Sequence, residues 1–126
     1  MADAVSFRLT ATVLDSPSAT ALAEFYHRLL GWPFGVVEPD WITLRPADGS
    51  AGLSFATEPR YVPPVWPSDD ARQQMMLHLD IEVSDLAAGV AHALSCGATL
   101  AEFQPQELVR VLFDPAGHPF CLWVPE

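Results

Sequence analysis

Two stretches of the chain carry the same order of local signals. In the first, residues Phe7 to Val13 alternate apolar and polar side chains, an apolar stripe follows at helical spacing, and Gly31 comes after it. In the second, Leu77 to Val83 alternate, Ser84-Asp85 precede a second apolar stripe, and Gly97 follows. Alternation is typical of a half-buried strand, and a stripe at i, i+3, i+4 and i+7 is typical of an amphipathic helix. The pattern therefore indicates a duplicated unit of strand, helix and further strands.

The same signals predict where the elements begin and end. The first helix is predicted to start at Asp15-Ser16-Pro17, with proline in its first turn. Short strands are predicted at residues 41–45, 53–56, 109–113 and 120–124. We expect one domain over residues 1–126, with a first module at about 5–57, a connector at about 58–75 and a second module at about 76–126.

Composition and charge exclude several classes of protein. Half of the 126 residues are hydrophobic, which is enough to bury a core, yet no apolar run approaches the length of a membrane span. Sixteen acids against six arginines give a net charge of -10, so the surface repels phosphate backbones and nucleic acid is not an expected partner. Two cysteines are too few for a disulfide framework. We expect a cytoplasmic protein that acts neither on membranes nor on nucleic acid.

The segment between the modules is rich in proline and carries two aromatic residues, Tyr61 and Trp66. Large aromatic side chains need contacts, so we expect an ordered connector that crosses the surface. Two interpretations remain open: the connector only joins the modules, or it forms a flap over a cleft.

The alternation also predicts which side chains face away from the helices. If the apolar row of each first strand packs on its helix, the opposite rows point to the other face of the sheet. These rows are Arg8, Thr10 and Thr12; His78, Asp80 and Glu82; Ser54 and Ala56; and Cys121 and Trp123. We expect them to line one shared concavity. The alternative is a sheet face that is open to water or buried in a dimer.

Three motifs carry a resemblance to a known family. They are Leu29-Leu30-Gly31-Trp32, the run from His78 to Asp85, and the run from Asp114 to Phe120. Together they resemble the vicinal oxygen chelate superfamily of glyoxalases, bleomycin resistance proteins and extradiol dioxygenases, and especially its small bacterial glyoxalase-like members. The resemblance implies an α+β fold of two βαβββ modules that form a curved, eight-stranded mixed sheet, a cup with the helices on its outer face. It also implies a homodimer.

Enzymes of that superfamily bind a divalent metal through the first and last strands of each module. The resemblance places these positions at Arg8, Ser54, His78 and Cys121, where the family usually has His, Gln or Glu. Only His78 matches, and the guanidinium of Arg8 has no acceptor atom for a metal. We therefore expect no metal cofactor; if a metal binds, His78 and Cys121 would hold it with help from Asp80 or Glu82.

These expectations lead to three functional hypotheses. The first is a metal-independent protein that binds, sequesters or acts on a small molecule, with a preference for basic ligands. The second is a metal-dependent lyase, isomerase or dioxygenase, and the third is a domain that serves mainly in assembly. The ligand-binding candidates are Arg8, Ser54, Asp80, Glu82, Cys121, Trp123, Trp41 and His118, and His78 is the candidate general base.

Each of these side chains also has a structural interpretation. His78 is alternatively a histidine with a purely structural role, and Cys121 is more simply a small buried apolar residue. His118 follows a turn glycine, where it either stabilises the turn or lies at the rim of the cup. The tryptophans either contact a ligand or pack in the hydrophobic core.

Overall fold

The computed structural model describes residues 5–126 and has a two-module α+β fold. Each module runs in the order strand, helix and three strands, as expected. The helices and strands are β1 (Ala11–Ser16), α1 (Ala19–Leu30), β2 (Phe34–Glu38), β3 (Trp41–Leu44), β4 (Gly52–Thr57), β5 (Leu79–Glu82), α2 (Leu86–Cys96), β6 (Thr99–Leu100), β7 (Val109–Phe113) and β8 (Pro119–Trp123). No helix of the described residues has the length and apolar character to cross a membrane.

The eight strands form two four-stranded mixed sheets, ordered β1-β4-β3-β2 and β5-β8-β7-β6. In each sheet the first strand of the module pairs in parallel with the last, and the other pairs are antiparallel. The two-module mixed α+β plan is therefore confirmed. Within residues 5–126 no strand of one sheet pairs with a strand of the other, so two sheets replace the single eight-stranded sheet that we expected. Side chains rather than strand backbone join the modules.

The first helix begins later than the sequence predicted. Its N-cap is Ser18, whose hydroxyl accepts a hydrogen bond from the backbone N–H of Ala21 at 3.1 Å, whereas Asp15 and Ser16 are still part of β1. Strand β1 continues through Asp15 and Ser16. The Ser16 hydroxyl donates a hydrogen bond to the Ser18 carbonyl at 2.8 Å and so stabilises the turn between β1 and α1. The second helix has its N-cap at Asp85, as predicted. The equivalent caps lie at residues 18 and 85, so the modules align with an offset of 67 residues.

The larger of two clusters of buried apolar residues in the described chain spans both modules. Phe25 and Tyr26 of α1 are fully buried, and their rings lie 6.1 and 6.3 Å from the ring of Phe120 in β8. Tyr26 also stacks on Phe55 of β4 at 5.7 Å, and its hydroxyl donates to Asp114 Oδ2 at 2.7 Å. Helix α1 is therefore held by aromatic packing and a buried hydrogen bond to the second module.

The direction of the side chains was predicted correctly in the second module and wrongly in the first. Leu79 and Ile81 of β5 pack on the core, whereas the row with Asp80 faces away from it. In β1 the buried residues are Leu14 and Ser16, while Val13 is 50% exposed. The alternation at residues 7–13 pointed to the other row, but in-register pairing with β4 places Leu14 beside the buried Phe55 of that strand and so directs Leu14 to the core.

Candidate functional site

The second sheet brings polar and aromatic side chains together on the face away from the helices. Asp80 of β5 pairs in register with Cys121 of β8, and Glu82 pairs with Trp123. Residues that are paired in register point to the same face. On the other side of β8, Val109 and Val111 of β7 pair with Trp123 and Cys121. His78 directly precedes β5.

A cavity of about 710 Å³ lies over this face. Its walls come from β5, β7, β8, the loop that precedes β7, the C-terminal residues and the connector. The lining residues are Trp66, His78, Asp80, Pro105, Gln106, Glu107, Leu108, Val109, Val111, Cys121, Trp123, Val124 and Glu126. Three of them are acidic, and Arg and Lys are absent from the lining, so the cavity is negatively charged when the carboxylates are ionised.

His78 is held between an aromatic ring and a carboxylate. Its ring stacks on Trp66 with centroids 5.1 Å apart and planes inclined by 22°, and its Nε2 lies 3.2 Å from Asp80 Oδ1. Trp66 in turn makes an edge contact with Phe103 at 5.7 Å. The connector thus supplies a wall of the cavity by placing Trp66 against His78.

Cys121 lies on the floor of the cavity and is only 4% exposed. Burial, together with the charge and hydrogen-bonding capacity of Asp80, raises the pKa of its thiol to about 11. The thiol is therefore protonated at neutral pH, and a protonated thiol is a poor nucleophile. Its packing against Ala101 and Val111 agrees with the interpretation as a small buried apolar residue.

The donor atoms of His78, Asp80 and Cys121 all lie within 4.8 Å of one another. Among residues 5–126, these are the three His, Cys, Asp or Glu side chains whose donor atoms lie close enough together to hold one metal ion. The first module offers no matching pair, because the offset of 67 residues makes Ala11 the equivalent of His78 and Ser54 the equivalent of Cys121. The four-position metal set of the superfamily therefore does not fit this chain.

The correspondence of Arg8 with His78 was wrong for a simple reason. Counting seven residues back from Asp15 gave Arg8, but the helix cap is Ser18, and the same count from the cap gives Ala11. Arg8 lines a separate cavity on the first module.

The other predicted residues lie outside the cavity of the second module. Ser54 is buried in β4, and Trp41 is a partly exposed residue of β3. Glu82 shares the row of Asp80 but does not line the cavity. The single concavity expected for both modules is therefore not formed by the described residues of one chain, and the structure groups His78, Asp80, Cys121 and Trp123 alone.

His118 is part of a buried polar cluster at the β7–β8 turn. Its Nδ1 lies 2.8 Å from Oδ2 of the fully buried Asp114, which also accepts hydrogen bonds from the backbone N–H groups of Ala116 and His118. The hydroxyl of Tyr61, in the connector, donates to the Ala116 carbonyl at 2.9 Å and lies 3.3 Å from His118 Nε2. These contacts support the interpretation of His118 as a residue that stabilises the turn.

Sequence reasoning named four of the thirteen residues that line the cavity: His78, Asp80, Cys121 and Trp123. The loop at 105–108 has no periodic pattern, and nothing in the connector indicated that Trp66 would stack on His78. Val109 and Val111 did carry a usable signal, since the strand predicted at 109–113 places both on one face.

Comparison with known proteins identifies the family. The family described as "Glyoxalase-like domain" matches residues 11–123, and no curated protein matches the chain. A glyoxalase/bleomycin resistance protein/dioxygenase family enzyme from Burkholderia phytofirmans PsJN is similar with a TM-score of 0.71 and 17% identity, over 94% of this chain and 98% of that one.

Two further solved structures have the same fold. A glyoxalase-related enzyme from Fulvimarina pelagi has a TM-score of 0.69 at 18% identity, over 94% of this chain and 88% of that one. A glyoxalase/dioxygenase from Nostoc punctiforme has a TM-score of 0.65 at 18% identity, over all of both chains. Similarity at these identities establishes the fold and leaves the activity open. The matched family and the two-module architecture together make this chain a member of the glyoxalase-like family, within the vicinal oxygen chelate superfamily.

Proposed function

We propose that this protein binds a small molecule in the cavity of the second module and needs no metal to do so. The observation that carries the proposal is the cavity of about 710 Å³, in which Trp66 and Trp123 supply aromatic surface and Val109 and Val111 an apolar floor. Ligand sites are typically concave and largely apolar, with a few polar groups that orient the ligand. His78 and Asp80, joined at 3.2 Å, are such groups.

The charge of the cavity favours a basic, aromatic ligand. Asp80, Glu107 and Glu126 line it without an opposing Arg or Lys, in a chain whose net charge is -10. Carboxylates attract a cation and repel an anion, and an indole ring binds a cation over its face. We therefore expect an aromatic amine, amidine or similar base to bind more tightly than a neutral or acidic molecule of the same shape.

His78 is the candidate general base if the bound molecule also reacts. In the neutral tautomer whose Nε2–H donates to Asp80, Nδ1 keeps its lone pair and is able to accept a proton. The carboxylate favours this tautomer because it accepts the hydrogen bond from Nε2. The arrangement supports sequestration as well as proton transfer, and the protonated Cys121 thiol argues against nucleophilic catalysis.

A metal-dependent lyase, isomerase or dioxygenase is the second candidate. The observation in its favour is that the donor atoms of His78, Asp80 and Cys121 lie within 4.8 Å of one another. Three protein ligands of this kind resemble the donor set of a catalytic zinc site, and a bound divalent ion would supply Lewis acidity. Binding would require Cys121 to lose its proton, which its raised pKa opposes.

We also propose that two copies associate and that the protein acts in the cytoplasm. Strands β1 and β5 each lie at a sheet edge, and apolar side chains in or beside them are exposed, with Val13 at 50% and Leu77 at 61% exposure. Exposed edges and apolar surface favour self-association. Both cysteines are free, which suits a reducing compartment.

A ligand screen tests the main proposal. Basic aromatic compounds and their neutral analogues are added to the purified protein while tryptophan fluorescence and melting temperature are recorded. We expect basic compounds to quench fluorescence and raise the melting temperature by mass action. Trp66→Phe and Asp80→Asn should weaken binding, whereas the matched control Trp41→Phe, outside the cavity, should not. Equal affinity in the three variants would place the ligand elsewhere.

Elemental analysis separates the two candidates. Protein purified without chelators should contain far less than one equivalent of Zn, Fe, Ni or Mn under the main proposal. About one equivalent, lost in both His78→Ala and Cys121→Ser but kept in Ser54→Ala, would instead support the metal-dependent enzyme.

A further inference from the structure

A second polar cavity lies on the first module, where residues 8–10, directly before β1, meet the turn between β3 and β4. Its volume is about 430 Å³, and it shares no lining residue with the cavity of the second module. Its lining residues are Arg8, Leu9, Thr10, Arg45, Pro46, Gly49 and Ser50. We call it the arginine cavity.

The arginine cavity gathers positive charge in a strongly acidic protein. The chain has sixteen acidic residues and six arginines, yet two of the six line this cavity and no acidic residue does. Arg72, by contrast, is paired with Asp69. Over residues 5–126, neither Arg8 nor Arg45 has a salt bridge or a side-chain hydrogen bond. Two positive charges that line one cavity repel each other, and the attraction of both to a bound anion would outweigh that repulsion.

The two arginines are carried by backbone that the sheet holds in place. The backbone N–H of Gly52 donates to the Thr10 carbonyl at 2.9 Å, which ties the residues after Arg8 to the start of β4. The N–H of Arg45 donates to the Pro33 carbonyl at 3.1 Å. The side chain of Arg45 runs over a glycine of β2, since a Cβ at residue 35 would lie 3.4 Å from Arg45 Nε.

The acidic residue nearest to Arg45 in the sequence is already engaged. Oδ1 of Asp48 accepts the backbone N–H of Ser50 at 2.9 Å and its hydroxyl at 2.6 Å. This turn directs the carboxylate to Ser50 and leaves the guanidinium of Arg45 to other partners. The same contact occupies the Ser50 hydroxyl, so among the described lining residues the side-chain donors that remain for a ligand are the two guanidinium groups and the Thr10 hydroxyl.

We propose that the arginine cavity binds the phosphoryl group of a small phosphate monoester. A guanidinium donates two parallel hydrogen bonds to a pair of phosphate oxygens, and a dianionic phosphoryl group has enough oxygens to bind both arginines. Carboxylic acids share part of this chemistry, but one carboxylate presents only two oxygens. The site is separate from the cavity of the proposed function, and either of the two sites functions without the other.

Calorimetric titration at physiological salt tests the proposal. The probes are phenyl phosphate, inorganic phosphate and succinate. We expect phenyl phosphate to bind, and Arg8→Gln and Arg45→Gln each to weaken its binding about tenfold or more, because each removes charge-assisted hydrogen bonds. The matched control is Arg60→Gln, which removes one positive charge from an exposed residue outside the arginine cavity and should leave binding unchanged.

Several results would overturn the proposal. The first is that phenyl phosphate fails to bind to the wild type at millimolar concentration. The second is that the wild type and both cavity variants bind it with equal affinity, and the third is that Arg60→Gln loses as much affinity as the cavity variants. Tighter binding of succinate than of either phosphate would reject the phosphate class. Arg8→Lys and Arg45→Lys keep the charge but lose the paired hydrogen bonds, so an intermediate affinity supports the geometry. Unchanged melting temperatures confirm that the variants are folded.

Discussion

Tyr26→Phe should destabilise the protein by removing a single hydroxyl from the centre of the fold. The ring of Tyr26 is fully buried, and its hydroxyl donates to the buried Asp114 at 2.7 Å. Phenylalanine keeps the ring contacts, so the change isolates a hydrogen bond to a buried carboxylate, which contributes about 1.5–3 kcal/mol. With an unfolding entropy of about 2.1 cal/mol/K per residue over 126 residues, the melting temperature should fall by about 6–11 °C.

The effect of this substitution should depend on pH. Burial and the charge of Asp114 raise the pKa of Tyr26 well above its usual value. The folded protein therefore keeps Tyr26 neutral at a pH where the unfolded chain loses the proton, at about pH 10 and above. The contribution of the Tyr26 hydroxyl to the free energy of unfolding is therefore fully present below about pH 10 and is lost as the pH rises from there through the raised pKa of the folded state. Phenylalanine does not titrate, so the difference in free energy of unfolding between wild type and variant should narrow above about pH 10.

Urea denaturation from neutral to alkaline pH measures both effects. The control is Tyr61→Phe, which removes a half-buried hydroxyl that donates to a neutral carbonyl and should cost less, about 0.5–1.5 kcal/mol. The pKa of Tyr61 is raised to about 12, above the pH at which the difference between wild type and Tyr26→Phe begins to narrow. A loss below about 0.5 kcal/mol in Tyr26→Phe, or a difference that does not change with pH, would refute the reasoning.

Three further predictions concern the sheets and the thiol. Ile81→Asp should unfold the protein by placing a charge against the core on which Ile81 packs, whereas Glu82→Ala on the opposite row should not; similar melting curves for the two variants would contradict the predicted facing of β5. In a Cys96→Ser background, a disulfide reagent should modify Cys121 slowly at neutral pH and faster up to about pH 11, because the pKa of the thiol is raised to about 11; rapid labelling at pH 7 would show a thiolate. Gly52→Ala should lower the melting temperature, since its Cβ would clash with the backbone oxygen of Leu44 in β3; an unchanged melting temperature would show that the strand moves to accommodate the methyl group.

Local signals in the sequence were sufficient for both helices and for six of the eight strands, whereas β2 and β6 were implied only by the family resemblance. Alternation, helical stripes and glycine stops depend only on neighbouring residues, and they predicted two helices, the two-module order and the strand at 109–113. In the second module the alternation also placed Asp80 on the face away from the core, where it meets Cys121. The local pattern was adequate there because one buried row decides the direction of every other residue in a strand.

Tertiary structure decided the parts of the site that depend on register and on contacts distant in sequence. Because the first helix has its N-cap at Ser18, the position of the first module that corresponds to His78 is Ala11 and not Arg8, which no local pattern in the sequence indicated. Trp66 reaches His78 from an aperiodic connector, and the side-chain contacts that join two separate sheets replaced the expected continuous one. Sequence alone determined which side chains share a strand face, whereas packing between distant segments decided which faces meet, because the energy of those contacts exists only in the folded chain.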